Sequence, residues 1–396
     1  MACYPPTLKM GYISGQLSMK TFITSIILLF CLQTAFSQTH IVPKFIRKMY
    51  FDKDSSKKSS FVILPVLSSA PETGLEAGGA GLLSFYTDTV SKNTRVSNIF
   101  GYATLTTKGQ SRLSLNTSYW TPQNKYHLTA GISYINFPFN FYGIGNNTRS
   151  ADVDRIGQKR VKVNFAAEKK LAENLYGGLV AGAYRYSFSN GQPNSIFYTD
   201  PQVYSRGGGS NAYIGPSLSY DSRDNNTYTT SGIIVNTYFE FTHGLFSNND
   251  YKGGFFNIEY AQFFKLSKKF VLGIDIQEQS LAGSQSPFYL LPTMGNDEMM
   301  RGYYNGRYRD RNMLAGQTEL RYRLSDRIGL AGFIGTGEVF HNSFSFAELK
   351  PNYGGGLRYF FDVEKGLSVR MDYGIGQKNP GESRQSGFYI GLGQAF

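Results

Sequence analysis

The stretch "QTELRYRL", residues 317–324, alternates between two kinds of side chain. Polar and charged residues occupy the odd-numbered positions, and mostly apolar or aromatic residues occupy the even-numbered ones. One face carries Gln317, Glu319, Arg321 and Arg323, and the other carries Thr318, Leu320, Tyr322 and Leu324. Because successive side chains of a β-strand point to opposite faces, this period of two predicts a strand with one charged face.

The same alternation recurs in "LSVRMDYGI" (367–375), "RLSLNTSYW" (112–120) and "KYHLTAGISYI" (125–135). A soluble β-sandwich also alternates, with its apolar face inward. Two features favour a membrane barrel instead. The segments are long with turns between them, and tyrosine and phenylalanine cluster near their ends. Strands in hydrocarbon must close on themselves, since no water satisfies an open edge, so the sequence predicts an all-β fold, a transmembrane antiparallel β-barrel.

A count of candidate strands gives about sixteen, an even number as single-chain bacterial barrels require. The first candidate is interrupted by Pro65, which is tolerated mainly at sheet edges. The predicted strands are 61–68, 74–87, 94–107, 110–121, 125–136, 158–171, 174–188, 210–222, 232–243, 252–266, 269–281, 311–324, 327–340, 352–362, 365–377 and 386–396.

The connections between these strands are of two kinds. Tight turns alternate with long links, and in such barrels short turns face the periplasm while long loops face outward. This arrangement predicts that both ends of the barrel chain lie on the periplasmic side. The long links are 137–157, 189–209, 282–310 and 341–351, and the tight turns include 121–125, 171–174, 266–269 and 325–327.

The chain has 396 residues and a formal net charge of +12. We attribute the charge to a basic lumen lined by inward-facing strand residues. Outer-membrane lipid and lipopolysaccharide are the expected contacts of an exported barrel, and nucleic-acid binding is not expected. The inward residues are Arg112, Lys162, Arg321, Arg323 and Arg370, with Glu168, Glu319 and Asp372 interleaved.

The N-terminal residues resemble an export signal. "MKTFITSIILLFCLQTAFSQ", from Met19 to Gln38, has a lysine, a short apolar core and small residues before a cleavage position. We predict a signal peptide over 1–37 with the true start at Met19, a flexible periplasmic lead-in over 38–60 and the barrel over 61–396. A membrane anchor and a lipoprotein modified at Cys31 are the alternatives. Both cysteines precede Gln38, which excludes disulfides and thiolate sites from the mature chain.

No local motif for catalysis or metal binding occurs. The four histidines are scattered, and neither H-E-x-x-H nor G-x-S-x-G is present. A hydrolase needs a serine, a histidine and an acid to converge, and no local pattern suggests this. The expectation is a protein without catalytic residues, metal or cofactor.

Two motifs together resemble those of the bacterial surface antigen superfamily, the BamA/TamA-type outer-membrane barrels. "SYDSRDNNTYTTSGIIVNTYFEF" (219–241) is similar to the family's turn between central strands, with Thr229 in place of the usual proline. "MRGYYNGRYRD" (300–310) is similar to its R-G-Y/F lid-loop motif and falls between predicted strands eleven and twelve. The matching residues are Tyr220, Asp221, Arg223, Asp224, Asn225, Thr230 and Gly232 in the turn, and Arg301, Gly302 and Tyr303 in the lid.

The resemblance implies that the lid loop folds into the lumen, where an acidic wall residue meets Arg301. The family often supplies it from an F-x-D-x-G strand, but here Gly335 occupies that position. Glu338, Asp372 and Glu319 are the candidate partners. The terminal strand, with Phe388, Ile390 and Leu392 sharing the face of Phe396, resembles the signal read by the barrel assembly machinery.

The implied function is translocation or insertion of proteins or other substrates at the Gram-negative outer membrane. Relatives that insert or secrete proteins carry periplasmic POTRA domains, and residues 38–60 leave no room for one. Two alternatives therefore stay open. One is a gated diffusion pore for small anionic solutes. The other is a structural or surface-antigen barrel that works with a separate periplasmic partner protein.

Overall fold

The computed structural model describes residues 59–70, 74–88, 94–189, 191–245 and 251–396. The predicted signal peptide and all but the last two residues of the lead-in lie outside these ranges, so those assignments stay predictions. Apart from α1 (Ile196–Thr199) and short 3₁₀ turns, the regular structure described is β-strand. The strands are β1 (Ser60–Ala70), β2 (Gly74–Phe85), β3 (Ser97–Thr106), β4 (Ser111–Trp120), β5 (Tyr126–Asn136), β6 (Phe139–Phe141), β7 (Asp154–Ala172), β8 (Leu175–Ser189), β9 (Gly208–Asp221), β10 (Gly232–Leu245), β11 (Lys252–Lys265), β12 (Phe270–Ala282), β13 (Thr293–Met294), β14 (Tyr308–Arg309), β15 (Asn312–Arg323), β16 (Ile328–Phe340), β17 (Lys350–Asp362), β18 (Leu367–Ile375) and β19 (Ser386–Leu392).

Sixteen of these strands are long, and they form one antiparallel sheet in chain order. Each long strand pairs with the next one along the chain, from β1 to β19. The short strand β6 adds to the start of β7, and β13 pairs with β14 as a separate hairpin. Within the described ranges no pairing joins β1 to β19, so the sheet is open there. The predicted all-β fold of about sixteen antiparallel strands is confirmed.

The sheet bends around a common interior, because residues far apart in strand order meet inside it. The backbone amide of Ser150, before β7, donates to Glu382 Oε1, between β18 and β19, at 2.6 Å. Arg95, before β3, pairs with Asp221 at the end of β9 at 2.8 Å. These contacts bring distant parts of the sheet together at both ends of the strands, the first near the long connections and the second near the short turns.

The two faces of the sheet have the inverse of a soluble protein's polarity. On β15 the side chain of Glu319 is fully buried, whereas that of its neighbour Leu320 is 42% exposed. On β18 Asp372 is buried and Tyr373 is 49% exposed. A broad exposed apolar face with charges inside is the pattern of a lipid-facing barrel wall. In the part of the chain that the structure describes, no helix is long and apolar enough to cross a membrane.

The predicted strands and connections need three corrections. The strand predicted over 158–171 begins at Asp154, because β6 folds back on its first residues. Two connections at the short-turn edge, 86–96 and 222–231, are as long as some outer loops. Pro65 does not interrupt β1, since it lies opposite Gly79 in a continuous register with β2.

Two apolar clusters fill the part of the interior near the long connections. The first, which we call the aromatic cluster, is made by loop and strand-end residues. The second, the methionine cluster, packs the 283–311 connection against β15 and β16. The aromatic cluster contains Phe141, Ile156, Phe197, Val203, Tyr251, Leu281, Phe288 and Leu291, and the methionine cluster contains Met294, Met299, Met300, Tyr303, Tyr308, Met313, Ala315 and Val339.

Candidate functional site

The connection between β12 and β15, which we call the lid, folds into the interior of the sheet. Within the lid, the short strands β13 and β14 pair as a hairpin. Met300-Arg301-Gly302, between these two strands, forms the tip of the lid. Met300 and Gly302 both have positive φ angles, of 57° and 109°, so the chain reverses sharply at the tip. Met300 is itself fully buried in the methionine cluster. Apolar packing therefore helps to hold the tip inside.

Gly302 makes a close backbone contact with the end of β18. A Cβ atom added to Gly302 would lie 2.8 Å from backbone atoms of Gly374, Ile375 and Gly376. A Cβ added to Gly374 would lie 2.5 Å from the carbonyl carbon of Arg301. Real Cβ atoms do not approach backbone so closely, and φ of 109° is strained for any residue with a side chain. Only glycines at 302 and 374 allow this approach.

Arg301 is fully buried and binds two carboxylates on different strands. Its Nη1 donates to Asp372 Oδ2 on β18 at 2.6 Å, and its Nη2 donates to Glu319 Oε2 on β15 at 2.9 Å. The guanidinium also lies 3.5 Å from the ring centroid of Phe333. Of the three candidate partners, the structure brings Asp372 and Glu319 to Arg301. Glu338 instead accepts a hydrogen bond from the backbone amide of Ser345.

Three wall arginines share these carboxylates with Arg301. Arg321 Nε donates to Glu319 Oε1 at 2.9 Å, Arg358 Nη1 pairs with Asp372, and Arg370 Nη1 lies 3.4 Å from Asp372 Oδ2. Asp297, in the lid, pairs with Arg370 at 2.6 Å. Four arginines against three carboxylates leave a net formal charge of +1. We call this group the arginine cluster; it consists of Arg301, Arg321, Arg358, Arg370, Glu319, Asp372 and Asp297.

Gly335 leaves space that a neighbouring polar side chain occupies. A Cβ at Gly335 would lie 2.6 Å from Asn352 Oδ1. Asn352, on β17, is fully buried and donates from Nδ2 to the carbonyl oxygen of Arg301 at 2.9 Å. The position where the resemblance implies an acid thus leaves room for an amide that holds the lid backbone, while the acids come from β15 and β18.

Tyr303 anchors the far side of the tip. Its hydroxyl donates to the carbonyl oxygen of Pro351 at 2.6 Å and accepts from the backbone amide of Gln377 at 2.9 Å. Burial raises the pKa of this hydroxyl, so it stays protonated and able to donate. Tyr303 is 2% exposed, whereas the next residue, Tyr304, is 39% exposed. Residues 304 and 305 are thus the exposed part of a lid segment that is buried at 301–303 and again at 306–310.

Arg307 and Arg309, which follow the lid tip in the chain, are both buried. Arg307 Nη2 pairs with Glu382 Oε2 at 2.6 Å. Although burial opposes ionisation of Glu382, hydrogen bonds from Ser150 and Arg307 lower its pKa to about 2. Burial lowers the pKa of Arg309 to about 10, so it remains charged at neutral pH. Its guanidinium lies between 5 and 6 Å from the rings of Phe139, Phe141 and Phe288.

The turn motif of residues 220–232 is held mainly by its own side chains. Asp221 binds Arg223 Nη2 at 2.9 Å. Asp224 Oδ1 accepts from the backbone amide of Thr230 at 2.8 Å, and Asn225 Oδ1 accepts from that of Thr227 at 2.7 Å. Tyr220 points outward, Gly232 has a φ of 107°, and Thr229, in the proline position, is buried and donates to the Asn225 carbonyl at 2.7 Å.

The same turn also reaches across the short-turn edge of the sheet, which the sequence did not indicate. Asn226 Nδ2 donates to the Val96 carbonyl oxygen at 3.0 Å. Thr227 Oγ1 donates to the carbonyl oxygen of Lys365, in the β17–β18 turn. No local pattern marks Val96 or Lys365 as a partner, because each lies more than a hundred residues away.

The expectation that Phe396 shares a face with the rest of the terminal strand is wrong. Phe388 and Ile390 are each 63% exposed on the outer face. The strand ends at Leu392, and Gly393, with a φ of 79°, turns the chain inward. A backbone oxygen of Phe396 accepts from Arg321 Nη2 at 2.7 Å, and the Phe396 ring packs 5.8 Å from that of Phe263.

The fold and the site together define a class: an up-and-down sheet of sixteen strands with an outward apolar face and a lid held inside it by an arginine. Residues 98–396 match the Omp85 superfamily domain. Because this match covers more than half of the chain, the protein belongs to the Omp85 superfamily. None of the curated proteins matches the sequence significantly.

Solved structures with a similar fold share little sequence identity with this chain. BamA from Haemophilus ducreyi lacking POTRA domains 1–3 is 13% identical with a TM-score of 0.53, and the match covers 85% of this chain and 70% of that one. CdiB from Acinetobacter baumannii is 12% identical (TM-score 0.51; 85% and 60% covered), and CdiB from Escherichia coli is 9% identical (TM-score 0.53; 86% and 63% covered). These identities establish a shared fold. The chain spans less than two thirds of either CdiB.

Proposed function

We propose that the protein is an integral outer-membrane barrel that translocates or inserts proteins or other substrates at the Gram-negative outer membrane. The observation that carries the proposal is the lid, whose tip is bound inside the sheet by Arg301, Glu319 and Asp372. Membership of the Omp85 superfamily supports the same role. Arg301, Gly302 and Tyr303 are the lid residues that set the resting state.

The open edges of the sheet support a route for a substrate strand. Among the described residues, β1 and β19 have no pairing with each other. An unpaired strand edge is a template on which another extended segment adds by backbone hydrogen bonding. In this proposal an incoming strand pairs at the seam between β1 and β19 while the lid keeps the interior closed.

The proposed contacts follow from the polarity of the outer face. Its exposed leucine, isoleucine and phenylalanine side chains suit outer-membrane lipid, and the basic interior suits anionic groups such as those of lipopolysaccharide. Phe388, Ile390 and Leu392 are the proposed signal for the barrel assembly machinery. A separate periplasmic partner protein is proposed to deliver substrate.

A gated pore for small anionic solutes is the second candidate, because the arginine cluster carries a net positive charge. In this alternative the lid must leave before any solute passes. The two apolar clusters and the buried lid favour an interior that is closed at rest, which supports translocation at the seam over permanent diffusion.

The test is depletion of the protein followed by quantification of the outer-membrane proteome. We expect other barrels to decrease, wild type to restore them, and Arg301→Ala to fail. Arg149→Ala, which changes an exposed loop arginine, is the matched control and should restore them. An unchanged proteome on depletion, with channel conductance in planar bilayers that Arg301→Ala alters, would favour the pore. An unchanged proteome together with an absence of conductance would favour the third alternative, a structural or surface-antigen barrel that works with a separate periplasmic partner.

A further inference from the structure

Ser118, His127 and Glu168 form a hydrogen-bonded line on the inner wall, away from the lid. Ser118 Oγ lies 3.0 Å from His127 Nε2, and His127 Nδ1 lies 3.3 Å from Glu168 Oε2. The three residues come from β4, β5 and β7, and strand register brings them together: Trp120 lies opposite His127, and His127 lies opposite Glu168. The order is that of a nucleophile, a base and a carboxylate that orients the base.

The imidazole is held in one orientation. The Trp120 ring stacks on it with centroids 3.9 Å apart and planes 8° from parallel. The second oxygen of Glu168 accepts from Ser219 Oγ at 2.8 Å, which fixes the carboxylate. A carboxylate at Nδ1 selects the tautomer that carries its proton there. Nε2 is then free to accept the proton of the Ser118 hydroxyl.

The group lies on the interior face and is reachable from it. The His127 side chain is 20% exposed, whereas that of Glu168 is 9% exposed. Asn98 on β3 and Thr129 on β5 lie directly opposite Ser118 in the sheet register. Opposed residues have Cβ atoms about 4.5–5.5 Å apart, so two side chains that carry an amide donor and a hydroxyl donor flank Ser118 on the same face of the sheet. Such donors stabilise the oxyanion that forms in acyl transfer.

We propose that Ser118, His127 and Glu168 form an esterase site that hydrolyses carboxylic esters entering the interior from the short-turn edge. This edge is the nearer one, since Trp120 and Tyr126 flank the tight 121–125 turn. The activity is additional to translocation and does not depend on it.

The reaction proceeds in two balanced halves. Ser118 Oγ attacks the ester carbonyl carbon while His127 Nε2 takes the hydroxyl proton. The tetrahedral oxyanion collapses, the bond to the alkoxide breaks, and the leaving alcohol takes the proton from Nε2. Water then attacks the acyl-serine and gives a proton to Nε2, and collapse breaks the bond to Ser118 Oγ, which regains that proton as the carboxylic acid departs. No oxidant or metal is needed.

The experiment uses the full chain in detergent micelles with p-nitrophenyl butyrate as substrate and a fluorophosphonate as covalent probe. We expect hydrolysis by wild type and a phosphonyl adduct on Ser118, located by peptide mass spectrometry. Ser118→Ala should remove both, and His127→Asn should lower turnover by roughly 10²- to 10⁴-fold. Glu168, a positioning residue, is tested by Glu168→Gln, which should lower kcat and leave KM unchanged.

Ser114→Ala is the matched control, since Ser114 lies on the same face of the same strand outside the hydrogen-bonded line. It should hydrolyse the ester at the wild-type rate. The adduct on wild type is informative even if a variant folds poorly. Absence of the adduct from wild-type Ser118, or equal hydrolysis by Ser118→Ala, would overturn the proposal and would leave the translocation role untouched.

Discussion

Two charged motifs of this protein, the lid tip and the turn of residues 220–232, are held in different ways. At the lid tip, Arg301 binds carboxylates that are 18 and 71 residues away, and every partner is fully buried. In the turn, Asp221 binds Arg223 two residues away and also Arg95, which precedes β3, and these arginine side chains stay 16% and 12% exposed. Both motifs resemble those of one family, but their stability has different origins.

Loss of a charge has different consequences in the two motifs. A buried charge that loses its partner keeps its full desolvation cost, whereas a partly exposed charge regains water. The ion pairs that hold the lid tip inside the sheet therefore form or fail together, and they depend on how the whole sheet folds. The turn combines hydrogen bonds of its own with contacts across the short-turn edge, and its partly exposed arginines regain water when a partner is lost.

The largest expected effect is that of Asp372→Asn. This change leaves Arg301, Arg358 and Arg370 with one fewer buried counter-charge. Breaking a buried ion pair costs about 3–5 kcal/mol, so the free energy of unfolding should fall by this amount. Urea unfolding in liposomes measures it through the fluorescence of Trp120, the single tryptophan.

The control for that measurement is Asp152→Asn, which removes an exposed pair with Arg149. Exposed pairs contribute about 0–1 kcal/mol, so little change is expected. If Asp372→Asn lowers the free energy of unfolding no more than Asp152→Asn does, the buried ion pairs of the lid tip do not stabilise the fold.

A smaller effect is expected from Asp221→Asn in the turn. Hydrogen bonds to a charged group contribute about 1.5–3 kcal/mol, and the arginine partners keep some access to water. The same urea assay should show a loss below that of Asp372→Asn. If the order of the two losses is reversed, the contrast between fully buried ion pairs at the lid tip and partly exposed ones in the turn does not hold.

Gly302→Ala tests the close contact between the lid and β18. The added methyl group meets backbone at 2.8 Å, and overpacking of this kind costs about 1–3 kcal/mol. We expect the tip to leave its seat, so that external trypsin cleaves after Arg301 in the variant and not in wild type. Gly332→Ala is the control, because a Cβ there meets nothing within 4 Å, and it should stay resistant.

The smallest expected effect is that of mildly acidic pH on the ion pair between Glu382 and Arg307. Because the pKa of Glu382 is lowered to about 2, its pair with Arg307 contributes fully above the ordinary carboxyl pKa. This contribution is lost only as pH falls toward about 2. A spin label at position 378 should thus keep the same mobility from pH 7 to pH 5, and Glu382→Gln should raise that mobility at pH 7. A mobility increase in wild type between pH 7 and pH 5 would argue against the pair.

The sheet was predictable because its information is local. Alternation within "QTELRYRL" defines the strand, the inward face and the buried positions of Glu319 and Arg321 together. The tight turns then order the strands. The turn motif was equally accessible, since Asp224 and Asn225 bind backbone within seven residues of themselves.

The interior was less predictable because its contacts depend on how the sheet bends. Nothing in the sequence near Arg301 distinguishes Asp372 and Glu319 from Glu338, which lies on the neighbouring strand β16. Only strand register places Ser118 beside His127. The prediction that Phe396 shares the outer face was wrong because it extended the strand alternation past Gly393, where the backbone turns inward.

Two adjacent residues, the buried Tyr303 and the exposed Tyr304, test whether the lid tip lies inside the sheet. Cysteine is placed at 303 or at 304, with Cys3 and Cys31 replaced by serine, and intact cells are treated with a bulky impermeant maleimide. We predict ready labelling at 304 and protection at 303, with protection lost when Asp372→Asn is added. Equal labelling rates at 303 and 304 in the otherwise unchanged protein would contradict a lid locked inside the sheet.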